Sequence, residues 1–253
     1  EDTGAFIQTD VFGVFVLLEA ARQNGVERFL HISTDEVYGQ SVGDQRFTEA
    51  DPFRPRSPYA ASKAGGELQC HAFRETYGLP IVVARPANNI GPRQYPEKAI
   101  PLFVTNALDD EPLPVYGQGL QIRDRLYVDD HCEALDLLLH KGELGEAYNI
   151  SADNERANIE VVQAILTMLE KPTTLIRFVE DRPGHDQRYS MDSQKMRALG
   201  WAPKHDFDAA LQKTVEWYRE HRDWWEPIKS GQYREYYDRM YGRRLAEATP
   251  YEE

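Results

Sequence analysis

Cysteine is nearly missing. Cys70 and Cys132 are the two in 253 residues, which excludes a disulfide framework. No signal-peptide pattern opens the chain, so a reducing cytoplasm is the expected compartment. Basic charge is also short, with 29 Lys and Arg against 42 Asp and Glu and a net charge of −13. A nucleic-acid partner is therefore not expected, although local arginines could still hold a small anionic substrate. No apolar run reads as a transmembrane segment, and no membrane partner is expected. None of the seven histidines falls at metal-ligand spacing. "DDHCE" (129–133) reads as a helix opening with Cys132 and Ala134 inward, and no metal is expected. Repeats and low-complexity tracts are absent too. What remains is 41% hydrophobic, enough for a sizeable core in one large or two small domains.

The pattern of what is there alternates helix and strand. Phe6, Val11, Val14, Phe15, Leu17, Leu18 and Ala21 recur at three- and four-residue spacing, predicting a helix over 5–24 that stops at Asn24-Gly25. "RFLHIS" (28–33) predicts a strand, and polar, proline-rich 41–57 a loop. Ser57-Pro58 opens a second helix over 58–77, closed by Gly78. "PIVVARPANNIGP" (80–92) predicts a strand running into a turn. This order implies a parallel sheet with crossovers, an α/β class. Further helices are predicted at 98–108, 158–170, 193–199 and 206–221, and strands at 112–117, 146–151 and 175–179. Residues 124–142 read as a strand entering a helix capped by Asp129 or Asp130. From Trp224 the tail is rich in Tyr, Arg and Glu and reads as partly disordered.

Two constellations carry chemistry. Tyr59 and Lys63 are four apart on a predicted helix and so share a face. An ammonium beside a phenol favours the phenolate, which could act as a general base toward a sugar hydroxyl. Taken alone, this spacing also fits a surface pair. Thr34, Asp35 and Glu36 lie at the carboxyl end of a predicted parallel strand, where open α/β sheets bind ligands. A turn cap or a solvent-facing pair is the structural alternative for those carboxylates.

Together the constellations match the short-chain dehydrogenase/reductase arrangement. "STDEVYG", "SPYAASKA", "RPANNIGPRQYPEKAIP", "YGQGLQIRDRLYVDDH" and "EDRPGHDQRYSMD" resemble, in this order, the bacterial dTDP-glucose 4,6-dehydratases, extended members of that superfamily. The resemblance runs from residue 5 to about 225 and implies a Rossmann-like doubly wound parallel sheet plus a smaller α/β substrate domain. It implies NAD as cofactor, with Ser33, Tyr59 and Lys63 on the nicotinamide side, and a dTDP-hexose substrate. Tyr59 would be the base for the C4 hydroxyl with Thr34 sharing that bond, and Lys63 would depress the tyrosine pKa. Glu36 would take the C5 proton and Asp35 would protonate the departing C6 hydroxyl. Asn88, Lys98, Arg123 and Asn158 match diphosphate-contacting positions, and Pro114 and Tyr116 the base pocket. Arg182, His185 and Tyr189 belong to a loop at the same end of the site. Superfamily 4-epimerases and decarboxylases share Tyr59 and Lys63 but usually lack the paired carboxylates. They are the enzymatic alternative, and an inactive nucleotide-sugar-binding fragment is the other.

The sequence departs from that family in one large way. No G-x-x-G-x-x-G occurs, and the nearest pair, Gly65-Gly66, falls inside a helix. In the family about 80 residues, carrying the pyrophosphate loop and first strands, precede the position of Phe6. The expectation is a chain lacking that segment, inactive if it begins at Glu1, with an exposed sheet edge. The expected division is 1–90 with 124–155 as the rest of the dinucleotide domain, and 91–123 with 156–253 as the substrate domain. Helices 8–24 and 58–77 are apolar on more than one face and are expected to pair in a homodimer.

Overall fold

A computed structural model describes residues 3–251. The chain divides into two compact units. The first comprises 1–89, 124–154 and 186–204, the second 90–123, 155–185 and 205–253. Residues 186–204, grouped with the second domain in the sequence reading, thus fall in the first unit.

The first unit is built on three parallel strands in the order Phe29–Ile32, Ile81–Pro86, Ala147–Ile150. Phe29 pairs with Ile81 and Ile32 with Ala84, and on the other side Val83 pairs with Ala147 and Pro86 with Ile150. The central strand is buried along its whole length, as expected for a parallel sheet covered on both faces. Side chains alternate along it. Ile81 and Val83 join Leu18, Ala21, Cys70 and Phe73 in one core, while Val82 and Ala84 join Ala134, Leu138 and Trp201 in another. Each fully buried aliphatic side chain contributes about 1.5–3 kcal/mol.

The first core is roofed by helices Thr3–Asn24 and Pro58–Tyr77. Pro58–Tyr77 has the bounds its end signals predict. Ser57 accepts from the Ala60 amide at 3.0 Å, Pro58 needs no donor there, and Gly78 turns left-handed at φ 69°. In Thr3–Asn24 the stretch Ile7–Phe12 is a π-helix, a feature no hydrophobic spacing announces. Gly65 and Gly66 let this stretch come close. A Cβ at Gly66 would lie 2.3 Å from the Asp10 carbonyl, and one at Gly65 would lie 3.0 Å from Val11. Contrary to the expectation from composition, Thr3–Asn24 is long and apolar enough to cross a membrane by length and composition. Its Ile7, Phe12, Phe15, Val16 and Leu17 are exposed.

Two further expectations are corrected in this unit. Helix Val128–Lys141 takes Tyr127 as its N-cap, so Asp129 and Asp130 lie in its first turn. His131 and Ala134 face inward, and Cys132 is exposed.

In the second unit Leu113–Tyr116 pairs in parallel with Ile176–Val179, whose other side takes Thr249–Pro250 antiparallel. Helices Ala99–Leu108, Asn158–Met168 and Phe207–Glu220 accompany them. The tail is helical rather than disordered, as Arg222–Lys229 and Gln232–Ala246. Trp225 anchors it. The indole is fully buried, donates to the Tyr218 carbonyl at 2.7 Å, and has Arg222 and Lys229 over its ring at 4.7 and 5.4 Å. The cations that read as solvated tail therefore cover an aromatic core residue.

Candidate active site

Beyond Ile32 the chain leaves the carboxyl end of its strand and the Ser33 amide donates to the Ala84 carbonyl at 2.8 Å. Thr34 is extended and caps a single 3-10 turn, Asp35–Tyr38. Its hydroxyl accepts from the Glu36 amide at 3.3 Å and donates to Asp35 Oδ1 at 3.1 Å. The turn ends at Gly39, φ 78°, where a Cβ would meet the Arg54 carbonyl at 2.3 Å. Both carboxylates are therefore fixed by backbone geometry, with Asp35 buried and Glu36 partly exposed. Unequal surroundings are what a paired acid and base require.

Tyr59 and Lys63 come to the same place from the first turns of Pro58–Tyr77. Lys63 Nζ donates to the Ile32 carbonyl at 2.8 Å, one residue before Ser33. Phe6 packs edge-on against the Tyr59 ring at 5.7 Å. The expected depression of the Tyr59 pKa by Lys63 does not occur. Burial first, then the charges of Glu36, Asp10 and Asp35, push it above the ordinary tyrosine value. That Glu36 and Asp35 act on the phenol places Thr34, Asp35, Glu36, Tyr59 and Lys63 in one site.

Asp10 is a site residue the sequence reading missed. It lies in the π-helical stretch, and its Oδ2 accepts from Ser62 Oγ at 2.8 Å, between Tyr59 and Lys63. A lone carboxylate inside an apolar helical pattern was the available signal. His31 is another. It is buried with Nε2 unpartnered, and burial, then Lys63, lowers its pKa to about 4. Ser33 Oγ and Asn88 Oδ1 are likewise buried without a hydrogen-bond partner among the described residues. Both follow the carboxyl ends of adjacent strands, and such orphaned groups mark a place for a ligand.

The remaining sequence-predicted positions divide between the units. Tyr189 belongs to the first, where it is buried and donates to Asp186 Oδ2 at 2.8 Å. In the second unit Tyr116, Arg182 and His185 form one cluster. The Arg182 guanidinium lies 5.1 Å over the Tyr116 ring, and His185 meets that ring edge-on at 6.2 Å. Arg244 also lies over Tyr116, at 5.7 Å, so the ring expected to stack on a base carries guanidinium groups here. His185 Nδ1 bonds Asp181 at 2.6 Å and its Nε2 accepts from Arg182 at 2.7 Å. Burial lowers the His185 pKa, and Arg123 acts in the same sense, so the neutral ring with hydrogen on Nδ1 fits these partners. Arg123 is buried, with Nη1 donating to the Ile122 carbonyl at 2.7 Å. Pro114 is buried within its strand. Lys98 is exposed at the N-cap of Ala99–Leu108. Asn158 opens Asn158–Met168, and its amide donates to the Gln121 carbonyl at 3.0 Å.

Comparison with known proteins agrees with this arrangement. The family model described as GDP-mannose 4,6 dehydratase matches residues 1–214. A dTDP-glucose 4,6-dehydratase of Neisseria meningitidis serogroup B is 50% identical over 91% of this chain and 71% of its own length. The crystal structure of the Bacillus anthracis dTDP-glucose 4,6-dehydratase in complex with NAD superposes with a TM-score of 0.86. It shares 47% identity and covers 90% of this chain and 73% of its own. The UDP-glucose 4-epimerase of Thermus thermophilus, in complex with NAD, is more distant. Its identity is 33% and its TM-score 0.80, over 84% of this chain and 70% of its own. A capped carboxylate turn at a strand end beside a Tyr-x-x-x-Lys helix is thus shared chemistry, and the chain belongs to the GDP-mannose 4,6 dehydratase family.

Proposed function

We propose that the protein is a dTDP-glucose 4,6-dehydratase that uses NAD. The observation carrying this reading is the Asp35–Glu36 turn, fixed by Thr34 and Gly39 beside Tyr59 and Lys63. An epimerase needs the phenol and the lysine. An elimination also needs a base and an acid together.

The residues present fit the nicotinamide end of NAD. Ser33 offers a buried, unpartnered hydroxyl, and Lys63 and Tyr59 sit beside the same strand end. No stretch of this sequence has the glycine pattern that cradles a pyrophosphate. When bound, NAD supplies the acceptor for hydride from C4 and the donor that returns it to C6.

The chain's own residues move the protons. Tyr59, as phenolate, accepts the C4 hydroxyl proton while Thr34 holds that oxygen. The resulting ketone acidifies the C5 hydrogen, which Glu36 removes. Asp35 gives its proton to the C6 oxygen, the C6–O bond breaks, and water leaves, so one proton taken at C5 balances one given at C6. Lys63 orients the cofactor ribose from its anchor on Ile32. Asn88, Lys98, Arg123 and Asn158 are proposed for the diphosphate, Pro114, Tyr116, Arg182 and His185 for the base. Tyr189 serves through Asp186. The first unit would be the remaining dinucleotide domain, the second the substrate domain.

We also infer a homodimer in the cytoplasm. The exposed Phe12, Val16 and Leu17 of one helix and Leu68 and Tyr77 of its neighbour form the apolar face a two-fold bundle would cover. Asp10 and the close packing at Gly66 argue for a protein partner over a bilayer.

The test is incubation with dTDP-glucose and NAD⁺, with detection of the 4-keto-6-deoxy sugar. In Glu36→Gln, product disappears while reduced nicotinamide still forms. Loss of both together contradicts the assignment of Glu36.

A further inference from the structure

A buried guanidinium joins the two segments of the site. Ile81, Val83 and Arg85 alternate onto the sheet face covered by Pro58–Tyr77. Two of these are apolar core, and the third is an arginine only 6% exposed. A buried charge is costly unless it is matched, and Arg85 is matched on every side. Its Nε donates to Glu67 Oε1 and Oε2 at 3.0 and 3.2 Å, and Nη2 donates to the same carboxylate. Its Nη1 donates to the Tyr38 hydroxyl and, at 3.2 Å, to the Glu49 carbonyl. The guanidinium lies over the rings of Phe53 and Tyr38 at 4.9 and 5.1 Å. Tyr38 passes its own proton to Asn149 Oδ1 at 2.8 Å, and the Asn149 amide donates to Glu49 at 2.8 Å. Burial pushes the Tyr38 pKa up to about 12, so the phenol remains a donor.

The two side-chain partners of Arg85 come from the two catalytic segments. Tyr38 closes the turn that carries Asp35 and Glu36. Glu67 lies one helical turn past Lys63 and two past Tyr59. We propose that Arg85, Tyr38 and Glu67 form a positioning triad that holds the carboxylate turn in register with the Tyr59–Lys63 helix during the elimination. They act through their neighbours, and the proposal rests on the dehydratase reading. A cavity of about 470 Å³ lies against the pair, lined by Glu49, Glu67, Cys70, His71, Arg85 and Lys195 among others. A guanidinium ion added from outside can therefore reach the space that Arg85→Ala leaves.

The experiment uses full-length, NAD-loaded protein with dTDP-glucose. It records product formation and nicotinamide absorbance at the wavelength of the reduced form, beside thermal melting. Tyr38→Phe removes one oxygen, and Arg85 Nη1 keeps the Glu49 carbonyl, so the variant folds. Its KM stays at the wild-type value and kcat falls about ten- to a hundredfold. Reduced nicotinamide accumulates during turnover, because oxidation now outpaces elimination. In Arg85→Ala, guanidinium ion restores part of kcat and raises the melting midpoint, whereas it does neither for wild type. Arg85→Lys does not substitute, since one ammonium cannot span Glu67 and Tyr38. Wild-type kcat in Tyr38→Phe overturns the proposal. So does a loss of kcat that merely follows the folded fraction without accumulation. If wild type itself forms no 4-keto-6-deoxy sugar, the dehydratase reading falls. The guanidinium-dependent rise in Arg85→Ala melting then decides alone whether the triad joins the two segments.

Discussion

Three glycines allow the helix contact at the site to be tested as a graded series. Gly66→Ala puts a methyl 2.3 Å from the Asp10 carbonyl oxygen, Gly65→Ala puts one 3.0 Å from Val11 Cγ2, and Gly242→Ala meets nothing within 4 Å. In each helix the added methyl gains about 1 kcal/mol of propensity. At Gly242, in Gln232–Ala246, that gain stands unopposed, and melting should rise by about 2–4 °C, given about 2–4 °C per kcal/mol for a chain of this size. At Gly66 the obstacle is backbone and cannot swing away. Thr3–Asn24 must be pushed back by several tenths of an ångström, at an overpacking cost of about 2–3 kcal/mol. The net loss is about 1–2 kcal/mol, or about 2–8 °C. Gly65→Ala presses on a side chain that can give way, so its cost and gain nearly cancel. Melting followed by circular dichroism ranks the three. Gly66→Ala melting at or above wild type, or level with Gly242→Ala, would show that the two helices do not approach as described and would refute the reasoning.

Burial and charge set further expectations. His31 and His131 both have pKa values lowered to about 4 by burial. The unfolded chain then binds more protons below pH 6.5, so their stabilising effect is full above that pH and declines toward pH 4. Urea midpoints across this window should fall less steeply in His131→Gln, and an unchanged slope contradicts this. Cys70 is buried with its thiol pushed up to about 12 by burial, whereas Cys132 is exposed. A thiol reagent should therefore modify one equivalent in native protein, at Cys132, and labelling of Cys70 without unfolding goes against the packing. Leu17→Glu with Leu68→Glu should yield monomers by light scattering if the exposed helical face pairs two copies. A persistent dimer points to another surface.

Much of the first unit was legible because its signals are local. Ser57-Pro58 and Gly78 delimit a helix by capping alone, and the apolar run 81–84 can only be a strand covered on both faces. The carboxylate pair was legible as chemistry, since two acids after a buried strand demand a use. What stayed hidden depends on partners far along the chain. Arg85 reads as a charge at a strand end until Glu67 and Tyr38 fold around it. Residues 186–204 look like a continuation of the second domain, yet Phe47 bridges to Met191 and Arg46 donates to its carbonyl, which ties them to the first unit. The tail misled because Arg222 and Lys229 count as polar in composition while they shield Trp225. Tyr59 misled because spacing names its nearest cation and says nothing of three carboxylates brought in by other segments.

The π-helical stretch Ile7–Phe12 makes residue number here as consequential as residue identity. A wide turn holds one residue more than an α-helix needs for the same advance. Removing Thr9 would let the helix close into regular α geometry while rotating the residues before it by about 100° relative to those after it, at 3.6 residues per turn. Phe6 would leave the Tyr59 ring, and the chain would lose its fit to the site with every remaining side chain unchanged. A one-residue gap in this segment is therefore a change of shape, and a homologue carrying one should have a different wall behind its tyrosine.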